Sequence, residues 1–187
     1  MKLLVFDDMV QCTEEEVSRM LPLVSAKRRE QALKFRHTFG QFACLKSFLM
    51  LQKLLGLSAE DMVFTYNEHG KPSLPLRICS QHFNISHCKE GIAVCVDNQP
   101  IGIDIESIRE VDEALIRKTM NANEQTIIFQ SSDPAEAFTN FWTRKEAVLK
   151  LRGTGIIDNL HNVLSGNESI ETHICAEKHY VLSIAKP

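Results

Sequence analysis

Apolar and polar residues alternate along this 187-residue chain in patterns that predict both strands and helices. Between Phe39 and Leu55 the apolar residues recur at helical spacing, which predicts a buried helix that ends at Gly56. Shorter apolar runs, bounded by turn residues, predict strands. In the first half of the chain these predicted strands are residues 2–6, 62–66, 82–87 and 91–96.

Two further helices are predicted before the long one from their capping residues. Thr13 precedes three glutamates, and a hydroxyl cap followed by acids favours the start of a helix. Ser25 precedes a basic segment that is predicted to form the next helix. Residues 67–72 have the composition of a turn. The cationic residues of the basic segment are Lys27, Arg28, Arg29, Lys34 and Arg36.

The second half of the chain repeats this order of elements. A strand is predicted at 101–106, a helix in one or two pieces at 112–130, and a long helix after Pro134 that ends near Gly153. Short strands are predicted within 161–185. The pattern therefore predicts an α/β (α+β) fold of two pseudo-symmetric halves, each a small, mostly antiparallel sheet packed against helices. The predicted domains are an N-terminal half, 1–99, and a C-terminal half, 100–187.

Composition narrows the classes of function. A net charge of −3 argues against a surface that binds nucleic acid in general, so any grip on phosphate must come from a local basic cluster. The six cysteines form no CxxC pair and are predicted to be reduced thiols of a cytoplasmic protein. The apolar run at the start is too short for a signal peptide, and no segment approaches the length of a membrane span.

The segment Gly-Ile-Asp-Ile-Glu at 102–106 carries the first candidate chemistry. Alternate side chains of a strand share a face, so Asp104 and Glu106 point the same way. Two neighbouring carboxylates repel each other unless a cation lies between them, and Mg²⁺ prefers oxygen ligands. Gly102 allows a backbone or a ligand to approach closely. The alternative interpretation is a solvated strand face with no ligand.

The predicted helix before Gly153 carries the second candidate. Glu146 and Lys150 are four residues apart and lie along one edge of the helix. Lys145 falls on the apolar side, where a free ammonium is costly unless it is paired, and an anion at the helix edge would pair both lysines. The alternative is an ordinary surface pair of Glu146 and Lys150. The basic cluster near Arg28 could likewise clamp a phosphate or form a solvated face.

Together these motifs resemble a 4′-phosphopantetheinyl transferase of the surfactin-synthetase-activating (Sfp) type. The resemblance implies a monomer of two pseudo-symmetric halves with coenzyme A bound between them. It implies transfer of the phosphopantetheine arm from coenzyme A to a serine of an apo acyl or peptidyl carrier protein, with release of adenosine 3′,5′-bisphosphate. The matching segments, in the order of that family, are Lys71-Pro72, Phe83–His87, Gly102–Glu106 and Trp142–Lys150.

The resemblance also assigns roles to residues. It implies that Asp104, Glu106 and Glu146 hold Mg²⁺, with Mn²⁺ as a possible substitute, and that Lys150 stabilises charge on the leaving oxygen while Lys145 supports the same phosphates. Either Glu146 or a water bound to the metal would take the proton from the carrier serine. Glu124 falls where some members place a further acid. The residues implied to grip coenzyme A are Arg28, Lys71, Pro72, Ser86, His87, Lys145 and Lys150.

Some features depart from the family or leave alternatives open. Gln31 stands where a second basic contact is common, and Cys88 stands where Ser is usual.

A metal-dependent nuclease or phosphodiesterase also uses acids on a strand, but it would place a lysine two residues after an acid. A non-catalytic module that binds coenzyme A or a carrier is the third possibility. The carrier and its pathway stay unassigned, and residues 107–123 are the expected docking surface, with Ile108, Val111, Leu115 and Met120 as its apolar residues.

Overall fold

A computed structural model describes residues 1–155 and 157–187 of the chain. Two three-stranded sheets and a two-stranded hairpin are found in these residues. The first half contains β1 (Lys2–Phe6), α1 (Glu14–Met20), α2 (Ala26–Leu33), α3 (Thr38–Leu55), β2 (Thr65–Tyr66), β3 (Pro72–Ser73), β4 (His82–Cys88) and β5 (Gly91–Asp97). The second half contains β6 (Gly102–Ser107), α4 (Glu113–Thr119), α5 (Ala122–Gln130), α6 (Pro134–Arg152), β7 (Ser169–Cys175) and β8 (Tyr180–Lys186).

Each three-stranded sheet is antiparallel and is built from one half of the chain. The strand order is β1-β5-β4 in the first sheet and β6-β8-β7 in the second. The central strand of each, β5 or β8, is almost entirely buried, because helices and the neighbouring sheet cover both faces. The predicted α/β fold with small antiparallel sheets is confirmed, whereas the domain boundary at 99/100 stays a prediction.

The predicted helix ends agree with the structure. Thr13 Oγ1 accepts a hydrogen bond from the backbone of Glu16 at 3.2 Å, and Ser25 Oγ accepts one from the backbone of Arg28 at 3.4 Å. Gly56 ends α3 in the left-handed region, at a φ of 68°. The region 112–130 divides into α4 and α5, because Asn121 forms a capping box that starts a new helix.

Three segments differ from their predicted structure. Only Thr65–Tyr66 of the predicted strand 62–66 is a strand, since Met62 and Phe64 are packed into the core instead of being paired in a ladder. Its partner is Pro72–Ser73, of which Pro72 falls in the predicted turn 67–72, and the missing N–H of proline keeps this hairpin short. Residues 163–165 form a 3₁₀ turn, so the final strands begin only at Ser169.

The two halves meet where β4 packs beside β6. The Asn84 side chain, from the first half, accepts a hydrogen bond from the backbone of Ile103 at 2.9 Å. On its other side β6 is covered by α6, and Gly102 lies at the closest approach. A Cβ at Gly102 would lie 2.0 Å from the Ala147 carbonyl oxygen and 2.4 Å from the Leu151 nitrogen. The absence of a side chain therefore sets the distance between the acidic strand and α6.

All six cysteines lie in the described part of the chain and are free thiols, as predicted. Burial raises the pKa of Cys88 to about 11 and that of Cys95 to about 12, which keeps both thiols protonated at neutral pH. Among the described residues, no helix is both long and apolar enough to cross a membrane.

Candidate active site

A cavity of about 900 Å³ lies between the two halves. Helices α2 and α3 and strand β4 contribute its N-terminal wall, and β6 and α6 contribute the opposite wall. We call this cavity the cleft. The predicted site residues that line it are Arg28, Pro72, Ser86, His87, Asp104, Glu106, Glu146 and Lys150. The packing of five elements, α2, β3, β4, β6 and α6, thus brings these eight residues together.

Asp104 lies at the centre of a buried cluster on the cleft wall. Its side chain is only 3% exposed, and its Oδ1 accepts hydrogen bonds from Lys150 Nζ at 2.6 Å and from Ser86 Oγ at 2.8 Å. Lys150 Nζ also donates to Ser86 Oγ at 2.8 Å. The second oxygen, Asp104 Oδ2, is buried without a hydrogen-bond partner among the described residues. A buried carboxylate oxygen of this kind is costly unless a ligand or cation completes it.

Glu106 and Glu146 add two more acids to the same wall of the cleft. Burial raises the pKa of both carboxyl groups, and the negative charge of Asp104 raises each further. The Lys150 ammonium opposes both shifts by lowering the pKa of each acid. The Asp104 charge therefore disfavours ionisation of both glutamates, and a cation beside Asp104 would relieve this repulsion.

The donor chemistry and the unpartnered Asp104 Oδ2 fit a hard divalent cation. Across residues 1–155 and 157–187, however, no three His, Cys, Asp or Glu side chains are grouped closely enough to hold a metal ion as they stand. One oxygen of Asp104 is bonded instead to Lys150 Nζ, at 2.6 Å. The assignment of Asp104, Glu106 and Glu146 as metal ligands therefore stays a prediction.

The other end of the cleft carries cationic and aromatic groups. The Arg28 guanidinium lies 4.9 Å from the ring centroids of both Phe48 and Phe64, which fixes it by cation–π contact at the cleft wall. His87 packs edge-on against Phe39, with ring centroids 5.8 Å apart. Burial lowers the pKa of His87, and the Lys150 charge lowers it further. A planar base and a phosphate could both find partners at this end.

Lys145 does not reach the cleft, which corrects the expectation that it supports the phosphates. Its side chain is 1% exposed, and its Nζ lies 2.6 Å from Glu124 Oε2. The same ammonium donates to the carbonyl oxygens of Thr119 at 2.8 Å and Leu160 at 2.9 Å. The position of Lys145 on the apolar side of α6 predicted a paired lysine, and the partner is the Glu124 carboxylate. Glu124 is bonded to Lys145 and does not line the cleft.

Lys71 is also turned away from the cleft, although Gly70 and Pro72 on either side of it line the cavity. Its Nζ donates to the carbonyl oxygens of Lys150 at 2.6 Å and Leu151 at 3.1 Å, at the end of α6. This ammonium is therefore bonded to the end of α6 and is not presented to the cleft, and its expected contact with coenzyme A stays a prediction. Burial lowers the pKa of Lys71, in agreement with its enclosed position.

Several residues of the cleft had no signal in the sequence. Cys44 and Tyr66 line it, yet neither belongs to a motif. Gln31, one of the two departures, lines the cleft, whereas Cys88 is buried and lies outside it. Met120, expected on the docking surface, is fully buried, so it is not available to a partner protein.

The chain is similar in sequence to known 4′-phosphopantetheinyl transferases. Residues 100–184 match the model of the 4′-phosphopantetheinyl transferase superfamily. The chain is 32% identical over 148 residues to the 4′-phosphopantetheinyl transferase psf-1 of Bacillus pumilus, a match that covers 76% of this chain and 63% of that relative. It is 27% identical over 150 residues to the 4′-phosphopantetheinyl transferase Sfp of Bacillus subtilis (strain 168), over 77% and 66% of the two chains.

A match to the 4′-phosphopantetheinyl transferase HetI of Nostoc sp. is 34% identical over 110 residues and covers 54% of this chain and 46% of that protein. The chain thus spans less than two thirds of the length of these relatives. Residues 100–184, which carry Asp104, Glu106, Glu146 and Lys150, are thus similar to the 4′-phosphopantetheinyl transferase superfamily. The Bacillus relatives confirm the resemblance of the chain to the Sfp type.

Proposed function

We propose that this chain transfers the 4′-phosphopantetheine arm of coenzyme A to a serine of an apo acyl or peptidyl carrier protein. The observation that carries the proposal is the buried cluster of Asp104, Ser86 and Lys150 at the wall of a cleft of about 900 Å³. The names of the relatives support the same reaction. The cleft is large enough for a dinucleotide-sized ligand.

The reaction is a displacement at phosphorus. The carrier serine oxygen forms a bond to the phosphorus that carries the pantetheine, and the bond from that phosphorus to the bridging oxygen breaks. Adenosine 3′,5′-bisphosphate leaves with the bridging oxygen. Such a reaction asks the protein mainly for positioning and for neutralisation of charge.

Glu146 is proposed as the group that takes the proton from the carrier serine. It lines the cleft and is half-buried, and burial raises the pKa of its carboxyl, which makes the carboxylate a stronger base. Lys150 is proposed to stabilise the negative charge that develops on the bridging and leaving oxygens. The ammonium of Lys150 already lies at the cleft wall, 2.6 Å from Asp104.

Asp104, Glu106 and Glu146 are proposed to hold Mg²⁺, or Mn²⁺ in its place. When bound, the ion supplies neutralising charge to the pyrophosphate oxygens. The unpartnered Asp104 Oδ2 and the repulsion between Asp104 and each of the two glutamates support this assignment. Arg28, Pro72, Ser86 and His87 are proposed to contact the adenosine end of coenzyme A.

We propose a cytoplasmic location, which the six free cysteines support. The proposed working form is a monomer whose partners are coenzyme A and a carrier protein. A nuclease is less well supported, because Glu146 and Lys150 lie on helix α6 and not on a second strand. The net charge of −3 also disfavours a nucleic-acid groove.

The test is to incubate the protein with coenzyme A, Mg²⁺ and a panel of apo carrier proteins, and to weigh each carrier by mass spectrometry. The expected result is a gain of one phosphopantetheine mass by at least one carrier, and none after the metal is chelated. Lys150→Met should lower kcat by about 100- to 1000-fold, as when one charge-stabilising group is removed. Failure of every carrier in the panel to gain mass would overturn the proposal.

A further inference from the structure

The end of helix α6 is closed by side chains that come from the other half of the molecule. Lys71 Nζ donates to the carbonyl oxygens of Lys150 and Leu151, at 2.6 and 3.1 Å. Asn67 Nδ2 donates to the carbonyl oxygen of Gly153 at 2.9 Å. Both donors belong to the turn between β2 and β3, residues 67–71, which we call the capping turn.

These contacts supply hydrogen-bond donors to carbonyl groups at the end of the helix. The last four carbonyl groups of a helix have no partner within it, and the helix dipole favours positive charge at this end. In α6 the backbone of Gly153 satisfies only the Leu149 carbonyl, at 2.8 Å. The next two carbonyls, of Lys150 and Leu151, receive the Lys71 ammonium. The capping turn therefore supplies what the helix lacks.

The capping turn is held in shape by the same asparagine. Asn67 Oδ1 accepts hydrogen bonds from the backbone of His69 at 3.0 Å and of Lys71 at 2.8 Å. The backbone of Asn67 also donates to the Lys71 carbonyl at 3.1 Å. One side of the Asn67 amide thus orders the turn, while the other side binds the helix end. This arrangement presents the Lys71 ammonium to α6 with few alternatives.

The capped turn of the helix carries Lys150, whose ammonium meets Asp104 at 2.6 Å. The backbone carbonyl of Lys150 and its side chain are therefore fixed from opposite sides, the first by Lys71 and the second by Asp104 and Ser86. Lys71 lines a smaller cavity of about 250 Å³ that adjoins the cleft, because Glu146 and Lys150 line both cavities, but Lys71 does not line the cleft itself.

We propose that Lys71 and Asn67 are positioning residues, which hold the last turn of α6 so that Lys150 stays aligned with Asp104 and with the pyrophosphate. This inference rests on the proposed transferase function. In this proposal the Lys71 ammonium acts by binding the backbone carbonyls at the end of α6. The family resemblance implied instead that it contacts coenzyme A. The two halves are thereby coupled, because one half caps the helix of the other.

The experiment compares Lys71→Met and Asn67→Ala with the wild type in kcat, in KM for coenzyme A and in amide hydrogen exchange. Small misplacement of a reacting group can cost about 100-fold in rate, so we expect both variants to lower kcat by about 10-fold or more. KM for coenzyme A should change by less than about twofold. Because the two residues act on one helix end, the double variant should be little worse than the poorer single variant.

A matched control is available in the first half. Lys2 Nζ donates to the Leu54 carbonyl at 3.1 Å and so caps α3, which does not carry Lys150. Lys2→Met should lower stability to a similar degree but leave kcat per folded molecule unchanged. Lys71→Arg, which keeps the positive charge, should restore part of the lost kcat. A purely structural role of Lys71 would instead give Lys71→Met the same profile as Lys2→Met.

Two further results would overturn the inference. One is a large rise in KM for coenzyme A in Lys71→Met with kcat unchanged and no effect of Asn67→Ala, which would mean direct binding. The other is unchanged hydrogen exchange at residues 149–153 of both variants, since loss of a cap should increase local opening there. The exchange readout does not depend on activity. An inactive wild type would therefore refute the transferase proposal, while exchange would still decide whether the cap exists.

Discussion

Lys150 and Asp104 form an ion pair of 2.6 Å between α6 and β6, and Ser86 from the other half of the chain completes the contact. The lysine is 29% exposed and faces the cleft, whereas the aspartate is almost fully buried. A charge that is shielded on one side and accessible on the other is suited to a phosphorylated ligand. The pair also joins the two motifs that stand out in the sequence.

Asp104→Asn should abolish transfer while the fold survives. Loss of groups that only orient a metal ligand costs about 10- to 100-fold, so loss of a direct ligand should cost at least about 100-fold. Transfer is measured by carrier mass, and the fold by circular dichroism. Asp61→Asn is the control, because Asp61 bonds Ser58 and does not line the cleft. Wild-type activity of Asp104→Asn would contradict the metal role.

Glu124→Gln should destabilise the protein strongly, because it leaves the Lys145 ammonium buried without a charged partner. Removal of one member of a buried ion pair typically costs about 3–5 kcal/mol of unfolding free energy. Addition of Lys145→Met to Glu124→Gln should recover part of that loss. Urea unfolding measures each variant, and an additive double variant would argue against the pairing.

Lys145→Met should leave KM for coenzyme A unchanged per folded molecule, because Lys145 is 1% exposed and is bonded to Glu124, Thr119 and Leu160. Arg28→Met is the comparison, since Arg28 lines the cleft and should raise KM for coenzyme A. Initial rates at varied coenzyme A concentration distinguish the two. A raised KM for coenzyme A in Lys145→Met would instead indicate that Lys145 binds the phosphates of coenzyme A.

Gly102→Ala should lower both stability and activity, because the added Cβ would meet the backbone of α6 at Ala147 and Leu151. Overpacking against backbone costs about 1–3 kcal/mol or more, and the displaced helix would move Lys150 from Asp104. Thermal unfolding and transfer rate are the measurements. Gly91→Ala is the comparison, because Gly91 does not line the cleft and its Cβ would approach Ile105 Cδ1, the nearest atom, only to 3.1 Å. Equal losses of stability in the two variants would refute the explanation.

The Asp97 carboxyl is predicted to make the stability of the fold depend on pH in the acidic range. A hydrogen bond from Lys186 lowers the pKa of Asp97 from 3.8 to about 2, with backbone N–H groups contributing. A pKa that is lower in the folded state stabilises the fold above 3.8, and this contribution is lost as the pH falls towards 2. The melting temperature of the wild type should therefore fall more steeply over this range than that of Asp97→Asn. Parallel curves would contradict the coupling.

Much of the site followed from local periodicity. Strand alternation put Asp104 and Glu106 on one face, and helical spacing put Glu146 and Lys150 on one edge, because these relations depend only on neighbours in the chain. The helix starts at Thr13 and Ser25 and the stop at Gly56 were equally local. The hairpin at 65–73 was not predicted fully, since its two-residue strands are set by core packing of their neighbours.

The sequence by itself determined which residue types are present and which of them share a face. It also required that Lys145, on the apolar side of its helix, should find a partner. Only the tertiary structure decided that this partner is Glu124 and that Lys71 binds the end of α6. These partners lie 21 and 79 residues away along the chain. Periodicity does not report contacts of that range, because they depend on how strands and helices from both halves pack.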